Sequence, residues 1–208
     1  VIEVVESWLT ENLDKIDTSN VLTELGLEPK KYILLSAHRE ENVDIEDNFY
    51  SLMNAINGVA RKYDMPIIYS THPRSLKRIE SRGFRFEPNV RNLKPFGFFD
   101  YNKLQKHAYC VLSDSGTLSE ESAMLGFPGV LIRTSTERPE VLDKGTVVVG
   151  GIKESDIISA LDLSVAMYEN NEPLSEIPDY ADKNVSVKVV KIIESYVKII
   201  NEVVWKKK

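Results

Sequence analysis

The fold is decided by the stretch Cys110-Val-Leu-Ser-Asp-Ser-Gly-Thr-Leu-Ser-Glu-Glu-Ser-Ala-Met-Leu-Gly-Phe-Pro128. Residues 109–112 are a short apolar run, which predicts a buried strand, and residues 114–116 are the small polar residues of a tight turn. Thr117 and Glu120 have the spacing of a capping box, so we predict that a helix begins at this turn. Gly126 followed by proline two positions later predicts where that helix ends.

A turn of this kind predicts an anion site. The first N–H groups of a helix have no partner within the helix, and its dipole places partial positive charge at the same end. Ser115 and Gly116 lie in the turn itself. We therefore predict that these two residues hold a diphosphate.

The rest of the chain alternates between strand and helix patterns. The predicted strands cover residues 32–37, 66–70, 84–86, 90–93, 109–112, 129–132 and 146–149, and most are separated by amphipathic helices. This alternation predicts an α/β fold with a Rossmann-like, doubly wound parallel sheet. Residues 1–183 would form that domain. Residues 184–208 would form a C-terminal helix that packs on it or reaches toward another domain, since Val189, Ile192, Ile193, Tyr196, Ile199, Ile200 and Val203 share one side.

Four polar loops follow predicted strands, at residues 38–42, 71–74, 114–117 and 133–140. Parallel sheets bind ligands beyond the carboxyl ends of their strands, so these loops should meet at one edge. His38 and Arg138 are the candidates there to join Ser115 and Gly116 on a diphosphate. The alternative for His38 is a structural role, and the alternative for Arg138 is that residues 133–140 form a solvated charged loop.

Two further residues are candidates for contacts to the rest of a nucleotide. Because Glu120 is assigned to the capping box, Glu121 is left to accept hydrogen bonds from a diol such as a ribose, or to face solvent. Tyr101 belongs to an aromatic segment, and its ring could stack on a base or belong to the core.

Composition narrows the possible functions. The chain has 208 residues and a formal net charge of −6, which argues against nucleic acid as the main partner. It contains no apolar run of membrane-spanning length and no recognisable secretion leader, so we expect a cytoplasmic protein without membrane contact. The single cysteine, Cys110, excludes an internal disulfide and fits a reducing compartment. No metal-ligand spacing, Walker motif or dinucleotide fingerprint is present, and we expect no metal or cofactor.

Three motifs together resemble the C-terminal half of the non-hydrolysing UDP-N-acetylglucosamine 2-epimerase family. They are Ser36-Ala-His-Arg-Glu-Glu-Asn42, Ser113-Asp-Ser-Gly-Thr-Leu-Ser-Glu-Glu121 and Thr136-Glu-Arg-Pro-Glu140, and the resemblance covers nearly all of the chain. It implies half of a two-domain fold of the GT-B type. The end of the chain is most similar to the branch that makes UDP-N-acetyl-L-fucosamine for capsule or O-antigen. Since the first residue is Val1, the chain would be processed or a piece of something longer.

The resemblance also implies roles for the candidate residues. His38 and Arg138 would engage the diphosphate, with His38 a catalytic residue, and Ser115 and Gly116 would donate hydrogen bonds to it. Glu121 would hold the ribose, and Tyr101 would lie near the uracil. Thr117 stands where many members of the family have a second glycine, which leaves the phosphate contact at that point open.

The reaction implied by the resemblance inverts C2 of a UDP-N-acetylhexosamine. UDP is eliminated to give a 2-acetamidoglycal and is then added back, in the synthesis of bacterial or archaeal cell-surface polysaccharide precursors. The acid and base come from carboxylates of the N-terminal domain, and the full-length enzyme would be a homodimer. Because that domain is missing, we expect this chain to bind UDP and UDP-N-acetylhexosamine weakly and not to epimerise.

Three alternatives stay open from the sequence. The chain could be the donor-binding domain of a GT-B glycosyltransferase, since one fold serves many functions. It could belong to a hydrolysing epimerase that releases free N-acetylmannosamine. A non-catalytic sensor of sugar nucleotides is the third possibility.

Overall fold

The structure, a computed structural model, describes residues 9, 11–134, 142, 147–170 and 184–207. Its strands are β1 Ile33–Ser36, β2 Ile67–Ser70, β3 Val90–Leu93, β4 Cys110–Ser113, β5 Gly129–Leu131 and β6 Val147–Val149. Its helices are α1 Leu13–Asp17, α2 Val21–Leu25, α3 Glu40–Val43, α4 Glu46–Tyr63, α5 Pro73–Ser81, α6 Phe98–His107, α7 Leu118–Leu125, α8 Glu154–Glu169 and α9 Val185–Ile199. A π-helical turn, Ile200–Val204, continues α9.

The six strands form one parallel sheet in the order β3-β2-β1-β4-β5-β6. The predicted Rossmann-like α/β fold is therefore confirmed. The chain builds the sheet outward from β1 in one direction and then returns to start again at β4. The neighbours β1 and β4 flank the point where the winding direction reverses, which is where doubly wound sheets open a crevice for ligands.

One predicted strand is wrong. Residues 84–86 form no strand, and the rings of Phe84 and Phe86 instead lie 5.2 Å apart and pack against the core. The Phe84 ring also meets Phe49 of α4 edge-on at 5.9 Å. In the chain these aromatic residues lie between α5 and β3. Their side chains are of types that favour strands, but here they pack against the core without strand pairing.

Both faces of the sheet are covered, which explains the continuous apolar runs of its central strands. Alternate residues of β1 enter different cores: Ile33 and Leu35 pack in one cluster, and Leu34 packs in the other. The first cluster is completed by α4 and α8, whose buried members include Phe49, Leu52, Met53, Ile56, Val59, Ile157, Leu161 and Val165. The second includes residues of α2, α6 and α7, namely Val21, Leu104 and Leu118.

The carboxyl ends of the central strands lie side by side. Ser36, the last residue of β1, is opposite Ser113 of β4, and Ser113 is opposite Leu131 of β5. The loops that begin after these residues therefore start at one edge of the sheet. This placement agrees with the predicted convergence for residues 38–42, 114–117 and the start of 133–140, of which residues 135–140 lie outside the described residues.

The C-terminal helix α9 and its π-helical turn bury none of their residues. Eleven of their large apolar side chains and the following Trp205 are exposed to at least 40%, among them Val190, Ile193, Tyr196, Val203 and Trp205. Within the described part of the chain, no helix is long and apolar enough to cross a membrane. The predicted apolar side of α9 thus exists, and nothing in the described residues covers it.

Gly150, which follows β6, offers a test of the packing between the sheet and α8. A Cβ atom at this position would lie 2.7 Å from Cγ1 of Val130 and 3.1 Å from Cβ of Ala160. Because both neighbours are buried, Gly150→Ala should lower the free energy of unfolding by about 1–3 kcal/mol. The measurement is the urea midpoint of unfolding.

Gly97→Ala is the matched control. Its backbone φ is −67°, which alanine adopts readily, and a Cβ there meets no atom within 4 Å. Its urea midpoint should equal that of the wild type. A Gly150→Ala variant as stable as the Gly97→Ala variant would contradict the described packing of α8 on β5.

Candidate functional site

Asp114 is buried at the carboxyl ends of the neighbouring strands β1 and β4. Its side chain is fully inaccessible and accepts hydrogen bonds from the backbone N–H of His38, at 2.9 and 3.1 Å, and from that of Arg39, at 2.9 Å. Burying an ionised carboxylate is unfavourable unless donors replace its water. Here the loop after β1 supplies those donors, so the carboxylate fixes that loop against the end of β4.

Two side chains of the same loop complete the attachment. Nδ2 of Asn42 donates to Asp114 at 3.1 Å and to the carbonyl of Ile132, just beyond β5, also at 3.1 Å. Nε of Arg39 donates to the backbone carbonyl of Asp114 at 2.9 Å. The segments that follow β1, β4 and β5 are thereby joined by one buried network.

The imidazole of His38 lies on the open side of this network. Its Nδ1 atom is 3.2 Å from Oδ1 of Asp114, and 41% of the side chain is exposed. The ring of His72, from the loop after β2, lies 5.8 Å away between centroids. Among the described residues, none forms a hydrogen bond with Nε2 of His38, so this nitrogen is available to a ligand.

The turn after β4 is held by its own hydroxyls. Oγ of Ser115 lies 2.9 Å from Oγ1 of Thr117, and the backbone N–H of Ser115 donates to Oγ of Ser113 at 3.1 Å. The predicted capping box is wrong: Thr117 is the N-cap of α7 but its side chain makes no cap hydrogen bond, because its hydroxyl is paired with Ser115. The N–H of Gly116 donates to no group of the described chain.

A second cluster lies between α6 and α7. Nε2 of Gln105 donates to Oε2 of Glu121 at 2.6 Å, and Tyr101 stands one helical turn before Gln105 on α6. Burial raises the pKa of Glu121 to about 7, although hydrogen bonds from Gln105 and Thr117 act in the opposite direction. Burial also raises the pKa of Tyr101, and the nearby Glu121 carboxylate adds to that effect. The charge on Glu121 therefore disfavours ionisation of Tyr101.

The structure brings most of the predicted site residues together. His38 meets the turn of Ser115 and Gly116 through Asp114, and Glu121 lies near enough to Tyr101 for its carboxylate to raise the pKa of Tyr101. The Tyr101 ring packs half-buried against the second core cluster. Arg138 lies outside the described residues.

The sequence analysis did not identify three residues of the site. It treated Asp114 only as a turn residue, and it assigned no role to Asn42 or Gln105. A signal for the first was present in the sequence, since a carboxylate that directly follows a central strand must find donors to be buried there. The partners of Asn42 and Gln105 depend on tertiary contacts that no local pattern encodes.

The arrangement suits an anion more than a metal ion. Its open groups are hydrogen-bond donors, namely Nε2 of His38 when protonated and the N–H of Gly116, with the paired hydroxyls of Ser115 and Thr117 on either side of Gly116. The carboxylate of Asp114 is enclosed by donors and faces no open space. Among the described residues, no group of three or more His, Cys, Asp and Glu side chains could hold a metal ion.

Known proteins have sequences similar to this chain. The profile of the family described as UDP-N-acetylglucosamine 2-epimerase matches residues 1–194. A UDP-N-acetylglucosamine 2-epimerase of Methanococcus maripaludis is 34% identical over 137 residues, which are 64% of this chain and 37% of that protein. A homologue in the same organism is 34% identical over 202 residues, which are 93% of this chain and 53% of that protein. The chain thus spans about half the length, or less, of these curated relatives.

Solved structures of UDP-N-acetylglucosamine 2-epimerases are also similar to this chain. The UDP-N-acetylglucosamine 2-epimerase of Rickettsia bellii matches 98% of this chain with 54% of its own, at 36% identity and a TM-score of 0.76. The Methanocaldococcus jannaschii enzyme in complex with UDP-GlcNAc and UDP matches 89% of this chain with 51% of its own, at 26% identity and a TM-score of 0.74. A match to half of each enzyme agrees with the expected half of a two-domain GT-B-type fold. This chain belongs to the UDP-N-acetylglucosamine 2-epimerase family.

Proposed function

We propose that this chain is the UDP-binding half of a UDP-N-acetylhexosamine 2-epimerase that inverts C2 by elimination and re-addition of UDP. The observation that carries the proposal is the joining of His38 to the Ser115-Gly116 turn through Asp114 at the point between β1 and β4 where the sheet reverses its winding. Related structures in this family hold UDP-GlcNAc or UDP, as the enzymes of Methanocaldococcus jannaschii and Neisseria meningitidis do.

The donors at this point suit a leaving diphosphate. Breaking the bond between the sugar C1 and the diphosphate oxygen concentrates negative charge on that oxygen. Donors that are already aimed at the oxygen stabilise this charge without reorganisation. We assign this role to His38, Ser115 and Gly116, and we assign a bidentate contact from Arg138 to the same diphosphate. Thr117 contributes by fixing the Ser115 hydroxyl, which lies 2.9 Å from its own.

The nucleoside would extend from the diphosphate toward α6 and α7. Glu121 accepts hydrogen bonds from the two ribose hydroxyls, and Gln105 orients its carboxylate from behind at 2.6 Å. Tyr101, whose pKa the Glu121 carboxylate raises, would contribute to the uracil side of the pocket. The pairing of an acceptor with a neighbouring aromatic side chain supports this assignment.

The reaction needs a second part of the enzyme. The proton at C2 requires a general acid and base, and these would come from carboxylates of an N-terminal domain. We propose that residues 1–183 form the UDP-binding domain and that residues 184–208 form a helix that reaches toward that second domain. The uncovered apolar side of α9 and the half-length match to the relatives support this division.

Finer features of the proposal rest on the resemblance. They are the branch that makes UDP-N-acetyl-L-fucosamine, a role in capsule or O-antigen precursor synthesis, a cytoplasmic location and a homodimeric full-length enzyme. The buried thiol of Cys110 is in keeping with a reducing compartment. Product analysis of the complete enzyme separates the variants, since a hydrolysing epimerase releases a free sugar and a glycosyltransferase needs an acceptor.

UDP binding by the 208-residue chain tests the diphosphate site. In calorimetric titrations UDP should bind more tightly than UMP, and UMP more tightly than uridine, because each phosphate adds charged hydrogen bonds. His38→Ala and Ser115→Ala should each weaken UDP by about 1–3 kcal/mol, the loss expected for one hydrogen bond to a charged group.

His107→Ala is the matched control, because His107 ends α6 before β4 begins, at the opposite edge of the sheet. It should leave the UDP affinity at its wild-type value. Equal affinities for UDP and uridine, or an equal loss in His38→Ala and His107→Ala, would overturn the assignment of the diphosphate site.

The raised pKa of Glu121 predicts a pH-dependent stability. The carboxyl loses its proton near pH 7 in the folded chain but near 4.5 when unfolded. Its favourable contribution is therefore complete below pH 4.5 and is lost as the pH rises through 7. Between pH 5 and 8, Glu121→Gln should gain about 1–3 kcal/mol of unfolding free energy relative to the wild type.

Glu28→Gln is the control, because a hydrogen bond from Lys31 lowers the pKa of Glu28, which is thus ionised in both states over this range. Its difference from the wild type should stay constant between pH 5 and 8, as measured by urea unfolding at each pH. A Glu121→Gln difference that is equally flat would show that Glu121 is not buried between α6 and α7.

A further inference from the structure

The buried carboxylate of Asp114 faces two kinds of donor. Its Oδ2 atom receives the N–H groups of His38 and Arg39, each at 2.9 Å, and Nδ2 of Asn42 at 3.1 Å. Its Oδ1 atom lies 3.2 Å from Nδ1 of the His38 imidazole and 3.1 Å from the N–H of the same residue. Both oxygens therefore accept from the backbone of the loop, and only Oδ1 also faces the ring.

A carboxylate can only accept hydrogen bonds, so it selects the form of the ring beside it. A neutral imidazole carries its proton on one nitrogen, and the hydrogen bond made by that nitrogen decides which one. The 3.2 Å contact puts Nδ1 of His38 next to an oxygen that can only accept, which would repel a lone pair on Nδ1 and so favours the proton on that nitrogen. The lone pair of a neutral ring is then on Nε2, which forms no hydrogen bond with the described residues.

We propose that Asp114 is a positioning residue that holds the His38 imidazole in its Nδ1–H form and orients Nε2 toward the diphosphate. Asp114 touches no substrate and acts through His38. In the unprotonated ring Nε2 can receive a proton, and in the protonated ring it donates a hydrogen bond to a phosphate oxygen. The assignment of the diphosphate rests on the proposed function, but the form of the ring does not.

Asp114→Asn predicts a specific error rather than a general loss of structure. The amide oxygen should take the place of Oδ2, where Arg39 and Asn42 donate, and the NH₂ group should take the place of Oδ1. The NH₂ group would then donate to Nδ1 of His38 and shift the ring to its Nε2–H form. This substitution preserves shape, and the His38 N–H loses its 3.1 Å acceptor at the place of Oδ1 but keeps the one at the place of Oδ2, 2.9 Å away.

Long-range ¹H–¹⁵N correlation spectra of the 208-residue chain at pH 8 test the proposal without any ligand. The chain has three histidines, and the signals of His38 are those lost in His38→Ala. The wild type should show a protonated Nδ1, and Asp114→Asn should show a protonated Nε2. Asp162→Asn is the control and should keep the wild-type pattern. Asp162 lies on α8 and accepts hydrogen bonds from Lys62 and Tyr63 of α4.

A double-mutant cycle supplies the second measurement. Asp114→Asn should weaken UDP binding about tenfold in the wild type and less than about twofold in a His38→Ala background, because its effect passes through the imidazole. An equal loss in both backgrounds would show that Asp114 only supports the backbone of the loop, and would overturn the proposal. A protonated Nε2 in the wild type would also overturn it, even if Asp114→Asn fails to fold. Failure of UDP to bind would reject the proposed function and leave the ring measurement to decide this one.

Discussion

The site depends on one buried carboxylate. Asp114 follows the central strand β4, has no contact with solvent, and is held by backbone and side-chain donors of the loop after β1. An ionised group in such a place is unfavourable unless its hydrogen bonds are satisfied, so carboxylate and loop stabilise each other's position. The relative placement of His38 and of the Ser115-Gly116 turn is a consequence of this pairing.

The same constraint explains how the loops are held at the carboxyl ends of the strands, where we propose that a diphosphate binds. The order of the strands places β1 beside β4, and doubly wound sheets bind ligands at the carboxyl ends of such a pair. Asn42 extends the network to the carbonyl of Ile132, where the chain leaves β5. The loops that would surround a diphosphate are thus fixed by hydrogen bonds between segments far apart in sequence, and the donors need little rearrangement when charge develops.

Much of this fold could be predicted from the sequence, because its signals are local. The apolar runs of β1, β2 and β4, and the alternation of strands with helices, follow from burial on both faces of a parallel sheet. The capping box at Thr117 and Glu120 failed because the Thr117 hydroxyl had a closer partner in Ser115. The strand predicted at residues 84–86 was wrong because aromatic residues that pack on a core are of the same types as those that form strands.

The site could be predicted only in part. The residues that we propose to face the ligand, His38, Ser115 and Gly116, follow strands, and the sheet rule alone brings them to one edge. Asp114 and Asn42 could not be assigned, because their partners lie 72 or more residues away in the chain. The apolar side of α9 was visible in the sequence, whereas its lack of a partner in the described chain required the structure.

The most direct measurement is a crystal structure of the 208-residue chain with bound UDP. The account predicts the diphosphate between the His38 imidazole and the Ser115-Gly116 turn, with Asp114 still bonded to the N–H groups of His38 and Arg39, and the ribose at Glu121. A diphosphate bound elsewhere, for example in the cleft lined by Thr71, Lys77 and Lys94 beside β2 and β3, would contradict it.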